Sequence, residues 1–345
     1  DTASVRWLIG EDVTGQGAVR NMAKPPAYYD PDSMTSTFYC KSGSCMDDNG
    51  GVHTNSGVNN KAAYLMVNGG TFGGKTVAAL GWSKVLAIYY EAQTNLLTSG
   101  ADYLDLHNSL YQACKNKIGS NGITNANCTA VRNATLAVKM DQQPATDFNP
   151  DAPYCPTGTS RATPDLFYEN FETGTDGWTI GKLSGPSAWG LSGENARGGL
   201  ASLWADDSYE RANAYTTTKG ITLPAGSKPY LHFSHFFRFE TVNTSYYDGG
   251  VLEYSINNGK TWADASALFS AGKGYAGKLV SGYGNPLQGR SAFAGDSHGF
   301  VDSRYNLSSL AGKTIRFRWR IGTDSGDSVL GWYLDNVRIY RCISR

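Results

Sequence analysis

The chain has 345 residues, enough for two domains that each bury a core. Its 30 Lys plus Arg balance 30 Asp plus Glu, and charged residues make up only 17%. No basic patch argues for nucleic acid, and no apolar run approaches the length of a membrane span. Abundant Gly (41) and Tyr (21) suit an extracellular, turn-rich protein with β-structure. No signal peptide is recognisable, so a secreted product is expected in its mature form.

Residues 1–140 read mainly as helices joined by long loops. An apolar stripe through Ala62, Ala63, Leu65 and Met66 predicts a helix over 59–67. Val85, Leu86, Ile88, Tyr89 and Leu96 predict a clearer one over 83–97, and Leu106, Leu110 and Cys114 another over 102–115. Val131, Ala134 and Val138 place the last over 129–140. Residues 141–165 hold Pro144, Pro150, Pro153, Pro156 and Pro164, which denies helix and central strand and reads as a linker.

From 166 to 345 the pattern changes to short strands separated by turn residues. Residues 230–236, 251–256 and 314–321 alternate, Asn257-Asn258-Gly259-Lys260 is a hairpin turn, and 331–339 closes the series. Strands at this spacing predict a two-sheet antiparallel sandwich.

The cysteines fall at positions that invite pairing as Cys40 with Cys45, Cys114 with Cys128 and Cys155 with Cys342. Sequence alone does not choose among the alternative connectivities. Zinc ligation competes, but no C-x-x-C is present, and an oxidising, extracellular compartment is the better expectation. Asn127, Asn133, Asn243 and Asn306 head glycosylation sequons.

The most informative string is Asp48-Asn49-Gly50-Gly51-Val52-His53-Thr54-Asn55-Ser56-Gly57. A carboxylate five residues before a histidine can hold one imidazole nitrogen while the other faces a reacting group. Taken with Trp7-Leu8-Ile9-Gly10-Glu11-Asp12-Val13, Asp30-Pro31-Asp32, the run 59–65 and Gly69-Gly70-Thr71, it resembles the C-terminal catalytic subdomain of the thermolysin-like zinc endopeptidases, or bacillolysins. The likeness covers roughly 5–140, and the order of predicted helices resembles that subdomain too.

That resemblance implies hydrolysis of peptide bonds in protein substrates. His53 would donate a hydrogen bond to the oxyanion of the tetrahedral intermediate, where a donor favours the transition state over the ground state. Asp48 would orient its ring, with a loop-capping carboxylate as the plainer alternative. Arg20 would hold the substrate carbonyl next to the scissile bond, its guanidinium fork suiting that task. Val19 would line the apolar pocket for the residue after the cleavage point. Glu11 matches a carboxylate of a paired calcium site. Arg6 and Leu8 stand where further acids are expected, so that site is reduced to one ion or lost, and the short loop from Val13 to Arg20 lacks the aspartate that completes another calcium site.

Relatives of this kind bind zinc through H-E-x-x-H and a later glutamate, both upstream of the matched region. None of His53, His107, His232, His235 and His298 forms such a pair. His232 and His235 fall in an alternating run that points them to opposite faces. The expectation is that a preceding segment supplies the zinc-binding half as a second polypeptide, left by a nick close to Asp1. By itself the chain is then expected to be inactive.

The set Phe171-Glu172, Gly177-Trp178, 249–255, Gly259-Lys260-Thr261-Trp262 and 332–337 resembles the jelly-roll module of the immune-inhibitor-A and MAM-like type. Such modules follow the catalytic domain in several secreted bacterial proteases. The resemblance implies that Glu172, Asp248 and Asp335 converge on a structural calcium. Trp189, Trp204, Tyr246 and Tyr247 read as core or isolated aromatics, with a carbohydrate platform as the alternative. A competing function is a non-catalytic extracellular binding protein whose sandwich attaches to a glycan or surface protein. An intact DNGGVH turn together with Arg20 argues against it.

Overall fold

In a computed structural model, the described residues are 2, 5–40, 48, 50–144 and 151–344. The chain divides into two compact units, Asp1–Leu97 with Ala101–Phe148, and Thr98–Gly100 with Asn149–Arg345. No described helix is long and apolar enough to cross a membrane.

The first unit contains α1 (Ser56–Asn68), α2 (Trp82–Asn95), α3 (Tyr103–Asn116) and α4 (Asn125–Ala137). Their buried faces repeat at helical spacing: Val58, Ala62 and Leu65; Val85, Ile88 and Ala92; Leu110 and Ala113; Val131 and Ala134. These side chains form one core, against which Trp7 packs, stacked on Trp82 at 4.8 Å between ring centroids. Cys114 of α3 is bonded to Cys128 of α4, with their Cα atoms 5.4 Å apart. The predicted pair Cys40–Cys45 lies outside the described residues because Cys45 does.

Helix α4 starts earlier than its apolar pattern does. Asn127 Oδ1 accepts from the Thr124 backbone N–H at 3.0 Å, so a polar cap sets the boundary where an apolar count sees nothing. That amide heads one of the sequons. Two hairpins were also invisible to periodicity, Leu8–Ile9 with Arg20–Asn21 and Gly70–Phe72 with Lys75–Val77, because two- and three-residue strands carry too few positions to show alternation.

The second unit is a sandwich of two antiparallel sheets. One orders its strands as Ala263–Asp264, Gly249–Ser255, Thr314–Thr323, Ala212–Thr217 and Thr179–Ser184, with Ile221–Thr222 also on Thr314–Thr323. The other runs Phe269–Gly272, Val301–Asn306, Pro229–Arg238, Gly331–Ser344, Ser202–Ala205 and Trp189–Ser192, with Thr159–Glu169 also on Gly331–Ser344. The core lies between them: Phe233 of the second sheet meets Trp319 of the first edge-on, centroids 5.3 Å apart. Asn258 and Gly259 take positive φ of 60° and 84° in the hairpin turn.

One expectation changes here. Strand Thr159–Glu169 begins inside the proline-rich stretch 141–165, so that stretch is not linker throughout. Pro164 is tolerated because this strand pairs on one side only, with Gly331–Ser344. Cys155 reaches Cys342 with Cα atoms 5.8 Å apart, tying the start of the sandwich to its last strand.

Candidate active site

The Asp48 carboxylate sits at the turn that leads into α1 and gathers four donors. Oδ1 accepts from the His53 backbone N–H at 3.2 Å and from His53 Nδ1 at 2.5 Å. Oδ2 accepts from the Thr54 backbone N–H at 3.0 Å and from Thr54 Oγ1 at 2.9 Å. The Thr54 N–H is the largest influence holding this carboxyl well below the usual range, with the His53 ring and the Thr54 hydroxyl acting the same way. An ionised carboxylate only accepts, so His53 Nδ1 carries a proton and Nε2 is left for another partner. The His53 side chain is 77% exposed.

The sequence builds this loop in two ways. Gly51 has φ of 93°, and a Cβ there would stand 2.6 Å from Asn55 Nδ2 and 2.7 Å from Cys40 Cβ. Asn55 then clamps the Cys40 backbone, accepting from its N–H at 2.8 Å and donating to its carbonyl at 2.9 Å. Gly57 lets the Asp30–Pro31 segment approach the first turn of α1, since a Cβ would meet Pro31 O and lie 2.9 Å from Asp30 Cβ.

Arg20 arrives on the strand Arg20–Asn21, opposite Ile9. Its Nη1 donates to the His53 carbonyl oxygen at 2.7 Å and also bonds Ser56 Oγ. Val19, beside it, is 42% exposed, and Ile9 across the pair is 41% exposed. Sequence reasoning did not single out Ile9, Thr54, Ser56 or the buried Asp30. Burial raises the Asp30 carboxyl, Arg20 opposes that, and Asp48 adds to it, which places Asp30 in the field of both site residues. The string Asp30-Pro31-Asp32 was a signal for it, without indicating a role.

Metal ligands are distributed differently from expectation. Glu11 lies in the turn after Leu8–Ile9 and joins no group of three metal-ligating side chains among the described residues. In the sandwich, Glu172 Oε1 accepts from the N–H groups of Leu200 and Ala201, each at 2.9 Å. Asp335 Oδ2 accepts from those of Arg197 and Gly198 at 2.9 and 3.0 Å. Both carboxylates therefore hold one loop. Burial pushes Asp335 up to about 6 in spite of these donors. Asp248 does not join them. It precedes Gly249–Ser255 in one sheet while Asp335 lies in Gly331–Ser344 of the other, so the predicted trio is split.

No zinc ligand set is present among the described residues, whose single group of three metal-ligating side chains is all-carboxylate. His53 is held by Asp48, His107 Nδ1 meets Thr135 Oγ1 at 2.6 Å, and His232 Nε2 meets Ala152 O at 2.9 Å. His235 lies on the opposite face of its strand from His232, in the core, between Ser303 Oγ at 2.8 Å and Trp332 Nε1 at 3.2 Å.

The aromatic platform does not form. Trp189 is buried against Trp332, Trp204 packs on Tyr333, Tyr247 meets Tyr283, and Tyr246 joins a small cluster around Leu279.

Residues 1–140 match the family model described as thermolysin metallopeptidase, alpha-helical domain. Among curated relatives, a zinc metalloproteinase of Renibacterium salmoninarum is 41% identical over 143 residues, 40% of this chain and 26% of that protein. A bacillolysin of Bacillus cereus is 40% identical over 145 residues, 41% of this chain and 24% of its own. A thermolysin of Alicyclobacillus acidocaldarius subsp. acidocaldarius is 39% identical over 136 residues, 38% and 23%. The chain thus spans about a quarter of the length of these relatives. Among solved structures, a K1 cleaved adhesin domain of Lys-gingipain from Porphyromonas gingivalis W83 aligns with 50% of this chain and 96% of its own, at 16% identity and TM-score 0.32. A xylan-binding domain from Paenibacillus barcinonensis aligns with 53% and 97%, at 16% identity and TM-score 0.31. At those scores the two structures carry no argument about ligands. Residues 1–140 thus match the alpha-helical domain of the thermolysin metallopeptidases, and an antiparallel β-sandwich follows them in this chain.

Proposed function

We propose that the helical unit forms the substrate-side wall of a zinc-dependent endopeptidase acting on extracellular proteins. The observation that carries this reading is His53, with Nδ1 held by Asp48 at 2.5 Å and its ring otherwise exposed. In its protonated form the ring presents Nε2–H to the oxyanion of a tetrahedral intermediate, while Asp48 fixes its orientation. Arg20 receives the substrate carbonyl beside the scissile bond, and Val19 with Ile9 offers apolar surface to the residue that follows it. In this reading the zinc ligands come from residues other than these 345, and hydrolysis requires them. Calcium at Glu11 belongs to the same reading. An oxidising, secreted setting agrees with the disulfides Cys114–Cys128 and Cys155–Cys342.

The non-catalytic alternative, a sandwich attaching to a glycan or surface protein, is not favoured, because its four aromatic residues are dispersed.

The test is steady-state hydrolysis of a furylacryloyl dipeptide by the zinc-loaded enzyme containing this chain, comparing wild type with His53→Ala. The expected result is a kcat lowered about 10²- to 10³-fold with KM little changed. An unchanged kcat would remove His53 from the reaction, and activity insensitive to chelators would remove the zinc-dependent reading.

A further inference from the structure

The sandwich holds a second group of carboxylates, which the peptidase reading does not use. Glu240, Asp248 and Asp324 each place an oxygen within 4.8 Å of the others. Antiparallel pairing of Gly249 with Gly322 brings Asp248, before one strand, close to Asp324, after the other. Asp207 stands behind them, its Oδ2 accepting from the Glu240 backbone N–H at 3.1 Å. Asp207 and Asp248 are fully buried, and Asp324 is 3% exposed.

Buried carboxylates need a countercharge or a full set of donors. Among the described residues, no Lys, Arg or His forms an ion pair with any of these four. Donors are also incomplete: Glu240 Oε2 is buried without a hydrogen-bond partner, and beyond the donors on their other oxygens Asp207 and Asp248 have only a proton shared between their two carboxyls. The partnered oxygen of Asp248 is firmly held, with Oδ1 accepting from Asn285 Nδ2 at 2.9 Å and the Asp324 N–H at 2.7 Å. That fixes the carboxylate. At Gly326 a Cβ would stand 2.6 Å from Glu240 Oε2, so the backbone closes over the group only as glycine. A cavity of about 330 Å³ lined by Glu240, Asp324, Tyr247 and Tyr283 adjoins it.

We infer that Glu240, Asp248 and Asp324, backed by Asp207, form a binding site for a divalent cation of the calcium class. An all-oxygen set without His or Cys selects a hard cation. Calcium ligands lie about 2.3–2.6 Å from the ion, so oxygens of one shell lie within roughly 5 Å of one another, as these do. Magnesium keeps its waters and is seldom held by a cage of buried carboxylates. This site is distinct from the Glu172–Asp335 pair, and it stands whether or not the helical unit is part of a peptidase.

The experiment uses the full chain, stripped with chelator, with calcium counted by native mass spectrometry and terbium as a luminescent probe. Tyr247 and Tyr283, whose centroids are 4.9 Å apart, provide nearby sensitisers. Wild type should take up one more calcium ion than Glu240→Gln or Asp324→Asn, and calcium should displace tyrosine-sensitised terbium emission. Replacing both tyrosines with Phe should dim that emission and leave the calcium count unchanged. Equal calcium counts in wild type and both variants would overturn the site, with protons shared between Asp207 and Asp248 as the remaining way to quench the charge. If Asp324→Asn fails to fold, Glu240→Gln, a half-buried residue at the cavity, gives the same reading.

Discussion

Arg20 and His53 are tied to each other through the backbone: Arg20 Nη1 donates to the His53 carbonyl oxygen at 2.7 Å. Ser56 Oγ donates to the same oxygen at 2.6 Å and also meets that nitrogen. The residue expected to bind substrate therefore also fixes the peptide that carries the expected oxyanion donor. A lysine keeps the charge but lacks the planar fork needed to serve substrate and loop together. Arg20→Lys should lower kcat/KM about tenfold to a hundredfold, split between a raised KM and a lowered kcat. Kinetics on the zinc-loaded enzyme would show a purely KM effect if Arg20 only binds substrate.

Asp48 acts through His53 in this arrangement, so the two should not be additive. Asp48→Asn keeps the shape but weakens the acceptor that holds Nδ1 and the two backbone N–H groups. We expect kcat to fall less than in His53→Ala, and the double variant to be no worse than His53→Ala. Additive losses would mean that Asp48 serves the loop or the substrate independently of the ring.

Gly57 is a packing requirement at the mouth of α1. Gly57→Ala should push the Asp30–Pro31 segment away from the helix and cost about 1–3 kcal/mol, as overpacking does. Thermal unfolding of the full chain measures this, and a melting temperature equal to wild type would show that the segment yields freely.

His232 gives the sandwich an acid-sensitive element. Burial lowers its imidazole to about 4, against the hydrogen bond to Ala152 O, with Arg304, Arg338 and Arg161 reinforcing the effect. The unfolded chain takes up that proton near its ordinary value of about 6.5 while the folded chain does not. Its contribution is therefore full above about pH 6.5 and is lost as pH falls towards 4, by roughly 3 kcal/mol. Asp335, raised to about 6, works in the opposite direction in that window, so the comparison must be between proteins. Urea unfolding from pH 7 to 4 should show a smaller acid-dependent loss in His232→Gln than in wild type. Equal losses would assign the effect to other groups.

The sequence by itself determined most of the architecture, because each long element repeats its apolar residues often enough to declare a period. Ala62 to Met66 of α1 and Tyr230 to Phe236 of the central strand were legible for that reason. The contact of Asp48 with His53 was legible too, carried by a contiguous string. Boundaries set by single polar contacts were not, as at the Asn127 cap of α4. Only the tertiary structure decided which distant acids share a site. Glu172, in the turn after Thr159–Glu169, and Asp335, in Gly331–Ser344, hold one loop, while Asp248 lies with Glu240 and Asp324 at another place. The physical reason is that a carboxylate's partners are chosen by strand pairing across the two sheets, and that pairing leaves no mark on the residues next to it in the chain.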